Sequence, residues 1–172
     1  MIKSVAFDLT GRQIAVASVP NRYTTAEDGS ATQPLDQTWN DCVRSLRQLT
    51  EAVPNLAHRV KAVAVTGQGD GTWLIDKDHQ PVGDAWLWLD ARAGHTAEKL
   101  RQSSNDDARF LRTGTGLNAC QQGAQFVHMM QHQPEQLDRS ATAFHCKDWL
   151  YMNLTDVRAP DPSEACFTFG DY

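Results

Sequence analysis

The amino-acid sequence predicts an α/β fold, and three observations support this prediction. Residues 4–8 and 13–19 are short apolar runs separated by a turn that contains Gly11, as in a β-hairpin. Apolar residues recur every three or four positions over residues 37–53, as on the buried face of a helix. Residues 60–65 are rich in valine and almost entirely apolar, which is typical of a strand buried on both faces of a parallel or mixed sheet. Strands that alternate with helices in this order indicate an α/β architecture.

The predicted hairpin leads into a polar segment, residues 20–34, which we interpret as a loop. The helix predicted over residues 37–53 ends at Pro54, because proline cannot continue a helix. Its apolar stripe consists of Trp39, Val43, Leu46, Leu49 and Val53. Beyond residues 60–65, residues 72–76 are expected to form another strand.

The rest of the chain is predicted to be mainly helical. A segment with two tryptophans comes first, and a helical pattern begins near residue 96. Further helices are predicted at residues 108–111, 121–132 and 145–152, and a proline-containing loop at residues 159–163.

Composition and charge argue against several classes of function. The 172-residue chain has a net charge of −5 and no cluster of Lys and Arg, so no nucleic-acid partner is expected. No apolar run approaches the roughly 20 residues that a membrane-spanning helix needs, so no membrane partner is expected either. The 4 cysteines are far apart and form no Cys-x-x-Cys pair, so we predict no structural zinc site. The sequence begins directly with a strand-like pattern and shows no signal-peptide pattern, and we therefore expect a cytoplasmic protein.

The strongest local feature is the glycine-rich turn Gly67-Gln68-Gly69-Asp70-Gly71, which follows residues 60–65. Glycines allow a sharp turn and a close approach of a ligand to the backbone, and ligands of α/β sheets bind beyond the carboxyl ends of strands. The amide of Gln68 and the carboxylate of Asp70 would suit a polyhydroxy compound. The alternative is a tight turn between two strands with solvated polar groups.

A second feature is the stretch that contains Trp88, Asp90 and Arg92. The Asp and Arg side chains can each bond a hydroxyl, and a tryptophan ring offers a flat wall for the C–H face of a sugar. A core tryptophan beside a surface ion pair would give the same pattern.

One pair of histidines has the spacing of a metal site. His128 and His132 lie four residues apart on a predicted helix, but the residue after the first is Met129, where zinc proteases need a glutamate. We therefore interpret the pair as part of a helix face and predict no metal site. Likewise, Asp148 beside Lys147 is interpreted as an exposed ion pair.

Taken together, five short segments resemble the FGGY family of carbohydrate kinases. They are the turn Thr66-Gly67-Gln68-Gly69-Asp70-Gly71, the stretch with Trp88, Asp90 and Arg92, the pair Thr115-Gly116, the helix with Asp148 that runs to Leu154-Thr155-Asp156, and Asp161-Pro162-Ser163-Glu164-Ala165. The resemblance implies a ribonuclease-H-like (actin-like ATPase) fold, in which helices flank a mixed sheet. Residues 1–172 would form the amino-terminal sugar-binding lobe.

The resemblance also implies an activity, the transfer of the γ-phosphate of ATP, with Mg²⁺, to a hydroxyl of a small sugar or polyol. Gln68, Gly69 and Asp70 would bind that substrate. Asp90 and Arg92, together with the segment around Gln121, would line or support the same pocket. The pattern is most similar to that of kinases for pentuloses and sugar alcohols, such as L-xylulose or erythritol.

Departures from the family pattern predict that this chain alone is inactive. The family's phosphate-binding strand would precede residue 2, so the sheet is expected to lack its first strand. The catalytic base and the ATP-binding lobe would lie beyond Tyr172, so we expect no catalytic residue here and no ATP or Mg²⁺ bound by this chain alone. In that fold the absent strand lies at the centre of the sheet beside residues 60–65, so its loss would expose two strand edges, which predicts poor stability or self-association into a homo-oligomer. Asp156 replaces the family's usual glycine and leaves the turn there open, since Asp tolerates positive φ less well.

Two alternatives to a kinase fragment remain. The chain could be a non-catalytic carbohydrate-binding or regulatory module of the same fold. It could also be an unrelated α/β domain whose glycine-rich turn has only a structural role.

Overall fold

The computed structural model describes residues 1–167 and divides the chain into two compact units. The first unit comprises Met1–Arg22 and Asp36–Val65, and the second comprises Tyr23–Leu35 and the described residues from Thr66 onward. Within the described residues, no helix is both long and apolar enough to cross a membrane.

The first unit begins with the predicted hairpin. Strands β1 (Ile2–Phe7) and β2 (Gln13–Val19) pair antiparallel, with Val5 opposite Val16. Helix α1 (Leu35–Ala52) follows, so the hairpin and the long helix predicted from the sequence are both confirmed.

Side chains from the hairpin and α1 form the core of the first unit. Ala6, Leu49 and Val53 are buried, and Ala15 and Ala17 pack against them. The hydroxyls of Ser4 and Ser45 meet at 2.6 Å inside this core. The predicted stripe of α1 is therefore only partly correct, because Trp39, Val43 and Leu46 are half-buried while the buried face includes the paired Ser45.

The strand predicted at residues 60–65 is wrong. A four-residue helix, α2 (Leu56–Arg59), comes first, and the following residues adopt no regular secondary structure. Val60 is 43% exposed and Val63 is 66% exposed. Valine-rich sequence favours extended backbone, but a strand also requires a partner, and none of the described strands pairs with this segment.

The second unit contains two small antiparallel sheets in place of the predicted mixed sheet. One has the order β3–β4–β6, formed by Thr24–Thr25, Ala31–Gln33 and Ala85–Trp86. The other pairs β5 (Trp73–Ile75) with β7 (Thr142–Phe144). Interpreting residues 20–34 as a loop was thus wrong, because two strands of two and three residues lie within it.

Helices are the main regular elements of the second unit, as predicted. They are α3 (Gly94–Arg101), α4 (Asp106–Thr113), α5 (Gln122–His132), α6 (Pro134–Asp138), α7 (Cys146–Thr155) and a 3₁₀ helix at Pro162–Phe167. One core cluster is formed by Leu74, Val82, Trp86 and Met129, and another by Ala93, Ala97, Leu117 and Ala124.

The departure at Asp156 is accommodated by the backbone. Asp156 follows α7 with φ 59° and ψ 21°, the left-handed conformation that often ends a helix. Its N–H donates to the carbonyl of Met152 and so closes the last turn. The aspartate therefore takes the place that glycine usually fills.

Candidate functional site

The glycine-rich turn is fixed by its backbone. Asp70 has φ 55° and Gly71 has φ 80°, so two consecutive residues adopt the left-handed conformation. The N–H of Gly71 donates to the carbonyl of Cys120 at 2.8 Å. A Cβ at position 71 would overlap the carbonyl oxygen of Trp86, so only glycine fits there.

The turn lines a cavity of about 270 Å³. Its lining residues are Gln68, Gly69, Asp70 and Trp88. The Trp88 side chain is half-exposed, and Gln68 and Asp70 add hydrogen-bonding groups to this flat apolar ring. A cavity that combines an aromatic face with hydrogen-bonding groups suits a small polyhydroxy compound.

Asp70 brings an incompletely bonded carboxylate to this cavity. The thiol of Cys120 donates to its Oδ2 at 3.4 Å, whereas Oδ1 is buried with no protein partner among the described residues. Burial is the main cause that raises the pKa of Asp70 above its ordinary range, and the nearby Glu164 carboxylate raises it further. The thiol of Cys120 and the charge of His145 act in the opposite direction. The free oxygen could accept a hydrogen bond from a ligand hydroxyl.

Cys120 belongs to a loop that supports the turn. Burial and the Asp70 carboxylate raise the pKa of this thiol to about 11, so it stays protonated and can donate. Gln121 follows at the start of α5, and its buried side-chain oxygen accepts from the N–H of Asn118 at 2.8 Å. Gln121 therefore stabilises the loop that contacts Asp70, and it is not among the residues that line the cavity.

Asp90 and Arg92 form a buried ion pair. The Nη2 of Arg92 donates to Oδ2 of Asp90 at 2.6 Å, and the guanidinium carbon lies 3.4 Å from the centre of the Trp86 ring. Asp90 also accepts from the N–H of Ala31 at 2.9 Å. These two residues lie outside the set that lines the cavity, so their predicted contact with substrate stays a prediction.

A second polar cluster surrounds Lys147. Its ammonium group lies 2.8 Å from Asp161 Oδ2 and 2.6 Å from Glu164 Oε1. Both oxygens of Glu164 come within 3.5 Å of the place where a Cβ on Gly69 would lie. Sequence reasoning missed Glu164, because only the fold brings this carboxylate beside the glycine-rich turn.

The interpretation of Asp148 as a surface ion pair with Lys147 is wrong. Asp148 is buried, and its carboxylate accepts from the N–H of His145 at 2.8 Å and from the N–H of Asp161 at 2.7 Å. It caps α7 and holds the segment that leads to Glu164. Lys147 pairs instead with Asp161 and Glu164.

The two helical histidines pack together on α5. The rings of His128 and His132 lie 4.3 Å apart, and the hydroxyl of Thr96 lies 3.2 Å from Nδ1 of His128. Among the described residues, no group of three or more His, Cys, Asp or Glu side chains is arranged to hold a metal ion.

Comparison with known sequences assigns the chain to a family. A sequence model described as "FGGY family of carbohydrate kinases, N-terminal domain" matches residues 1–169. The chain belongs to the FGGY family of carbohydrate kinases.

Individual relatives support this FGGY assignment. The chain is 60% identical over 172 residues to the protein named "Erythritol kinase" from Brucella abortus, and this alignment covers 100% of the chain and 33% of that protein. It is 26% identical over 168 residues to "Autoinducer-2 kinase" from Salmonella typhimurium, covering 95% of the chain and 32% of that relative. The FGGY chain thus spans about a third of the length of these relatives.

Solved structures show that the chain shares its fold with sugar kinases. It superposes on a xylulose kinase from Rhodospirillum rubrum with a TM-score of 0.91 at 24% identity, covering 98% of this chain and 35% of that one. A Brucella ovis structure titled "xyloylose kinase" gives a TM-score of 0.89 at 21% identity, covering 96% and 34%. Together with the family assignment, this likeness supports the actin-like ATPase fold that the resemblance to the FGGY family implied.

Proposed function

We propose that this chain is the sugar-binding part of an ATP-dependent carbohydrate kinase that phosphorylates a hydroxyl of a small polyol. The observation that carries the proposal is the unpartnered Oδ1 of Asp70 in a cavity that Gln68, Gly69 and Trp88 also line. A neutral polyol would place its hydroxyls on the polar groups and its C–H face against the indole ring. Asp90, Arg92 and Gln121 would support this pocket by fixing the segments around it.

The strong likeness to an erythritol kinase favours a four-carbon polyol as substrate. The 270 Å³ cavity lies near the small end of the range for ligand sites, in keeping with a small substrate. We propose erythritol itself as the first ligand to test, with longer sugar alcohols and pentuloses as its competitors.

We further propose that this chain alone does not transfer phosphate. ATP and Mg²⁺ belong to the proposed reaction of the full-length family member. The part of the reaction that these residues would perform is the binding and orientation of the polyol.

Calorimetric titration of the chain with erythritol, xylitol, L-xylulose, D-xylulose and glycerol tests the proposal, each measured with and without Mg-ATP. We expect saturable binding of one polyol that Mg-ATP does not change, and no formation of phosphorylated product. Asp70→Ala should abolish that binding, because it removes the free acceptor from the cavity. Asp78→Ala is the matched control, since this carboxylate is exposed and pairs with the neighbouring Lys77.

Two outcomes of that titration would contradict the proposal. A chain that unfolds cooperatively yet binds none of the five compounds would show that these residues do not form a polyol site. Equal binding by the parent chain and Asp70→Ala would place the polyol elsewhere in the molecule.

A further inference from the structure

Glu164 brings a second carboxylate to the proposed polyol site. Its side chain is only 8% exposed, and it lies against Gly69, which lines the cavity. Each of its two oxygens is 3.5 Å from the position of a Cβ on Gly69. Glu164 is not itself among the lining residues, but it lies next to the backbone of Gly69, which has no side chain to stand between them.

The two oxygens of Glu164 differ in their bonding. Oε1 is held by Lys147 at 2.6 Å, whereas Oε2 is buried and has no protein partner within the described part of the chain. A buried acceptor without a partner is costly, because it has lost its hydrogen bonds to water. Such an oxygen beside a ligand cavity is an acceptor that a bound hydroxyl could satisfy.

Lys147 fixes the orientation of this carboxylate. Its ammonium group also lies 2.8 Å from Asp161 and 3.3 Å from the Ser163 hydroxyl, so it is held from several sides. Although desolvation opposes it, these bonds to Asp161 and Glu164 keep the pKa of Lys147 above its ordinary value. Lys147 therefore remains charged and keeps Oε1 engaged, which leaves Oε2 available.

We propose that Glu164 contributes to polyol specificity, with its free Oε2 accepting a hydrogen bond from a second hydroxyl of a polyol bound against Asp70. This inference rests on the proposed function. Asp70 and Glu164 would each accept from one hydroxyl, so a ligand that lacks one of these hydroxyls would leave a buried charge unsatisfied. Lys147 acts as a positioning residue for Glu164 and does not itself contact the ligand.

Calorimetry with erythritol on the parent chain, Glu164→Gln and Asp78→Asn tests this inference. Glu164→Gln keeps the shape and removes the charge, so we expect Kd to rise about five- to tenfold, the difference between a charged and a neutral acceptor. Asp78→Asn also removes one carboxylate charge, but at an exposed position paired with Lys77, and should leave Kd within about twofold of the parent value. Thermal unfolding of all three chains identifies any loss of fold.

A second comparison uses two butanetriols, each of which lacks a different hydroxyl of erythritol. For the triol that lacks the hydroxyl bonded to Glu164, the parent chain and Glu164→Gln should bind equally, because the lost interaction is the same. A purely structural role of Glu164 would lower the affinity for erythritol and both triols by the same factor.

The outcomes separate the two proposals. If the parent chain binds erythritol and Glu164→Gln binds it equally well, the inference about Glu164 is overturned and the proposed function stands. Equal weakening by Glu164→Gln and Asp78→Asn would also overturn it, since the loss would then follow from the change in net charge and not from a contact of Glu164 with the ligand. A folded parent chain that binds no polyol would overturn both.

Discussion

The two units of the chain contrast in what they leave unsatisfied. Both units leave apolar side chains at the surface: in the first unit Phe7, Val16 and Val63 are 59%, 48% and 66% exposed, and in the second Leu111 is 83% exposed. In the second unit, polar side chains are buried, and Asp70 and Glu164 each keep an oxygen without a protein partner among the described residues. Exposed apolar groups can pack against another polypeptide, whereas buried acceptors without a partner can accept hydrogen bonds from a small polar ligand. The contrast supports the proposal that a polyol binds to the second unit.

The largest effect on stability is expected from a substitution of Gly71 in the second unit. Gly71→Ala should lower the free energy of unfolding by about 3–5 kcal/mol, because the new Cβ meets a backbone oxygen and the residue has a left-handed conformation. Urea denaturation measures the change.

Gly11→Ala is the matched control for that substitution. Gly11 has φ 85°, but nothing lies within 4 Å of the place where a Cβ would stand, so only the backbone cost of about 1–2 kcal/mol applies. Equal losses in the two variants would mean that the backbone around position 71 can move to accommodate a Cβ.

The next effect concerns the buried pair Asp90–Arg92. Asp90→Asn should cost about 2–4 kcal/mol of unfolding free energy, because it leaves the largely buried guanidinium of Arg92 without its counter-charge. Asp78→Asn should change it by less than about 1 kcal/mol, since the Lys77–Asp78 pair is exposed. A small effect at Asp90 would instead favour a role in ligand contact, which the sequence pattern also allowed.

The helices and strands show how far the fold could be predicted from the sequence. The hairpin and α1 were predictable because their signals, a glycine turn between apolar runs and a period near 3.6, are local. Residues 60–65 were mispredicted because a strand requires a partner that the local pattern does not encode. Strands β3, β4 and β7 have only two or three residues, too few to show alternation.

The residues of the candidate site were likewise predictable only in part. The grouping of Gln68, Gly69 and Asp70 follows from their adjacency, and Trp88 was predicted as an aromatic wall because of its chemistry. Glu164 could not be predicted, because its approach to Gly69 depends on how α7 and the following segment fold. Asp148 was misinterpreted for a related reason. The adjacent Lys147 suggested an exposed ion pair, whereas the capping role of Asp148 at His145 depends on burial that only the fold provides.

A smaller effect concerns the pH dependence of polyol binding. An ordinary aspartate titrates near pH 3.9, and burial raises the folded pKa of Asp70 above that value. Protonation of Asp70 removes the acceptor charge, so Kd for a neutral polyol should begin to rise at a pH above about 4 as the pH falls.

The same raised pKa has a consequence for stability with the opposite sign. The unfolded chain ionises Asp70 more readily, so the Asp70 contribution to stability increases as pH falls through its folded pKa.

Calorimetry at several pH values, on the parent chain and on Asp70→Asn, measures the effect of pH on polyol binding. A Kd that stays constant down to about pH 4 in the parent chain would contradict an ionised Asp70 as the acceptor.

The smallest effect on stability is expected at Val63. Val63→Lys should change the free energy of unfolding by less than about 0.5 kcal/mol, because the side chain is already exposed. It should nevertheless reduce self-association, since a lysine on an unpaired apolar segment discourages strand pairing between chains. Light scattering after gel filtration measures the mass, with Leu111→Lys, at another exposed apolar position but in the second unit, as control. A parent chain that is monomeric at all concentrations would contradict this prediction.

The central claim is that a polyol binds in the cavity of the glycine-rich turn, and an NMR titration of the ¹⁵N-labelled chain with erythritol tests it most directly. We predict saturable shifts in the amides of Gly69, Asp70 and Gly71 and in the indole N–H of Trp88, with the hairpin resonances unchanged. Shifts confined to the first unit, or none at saturating erythritol in a well-dispersed spectrum, would contradict the claim.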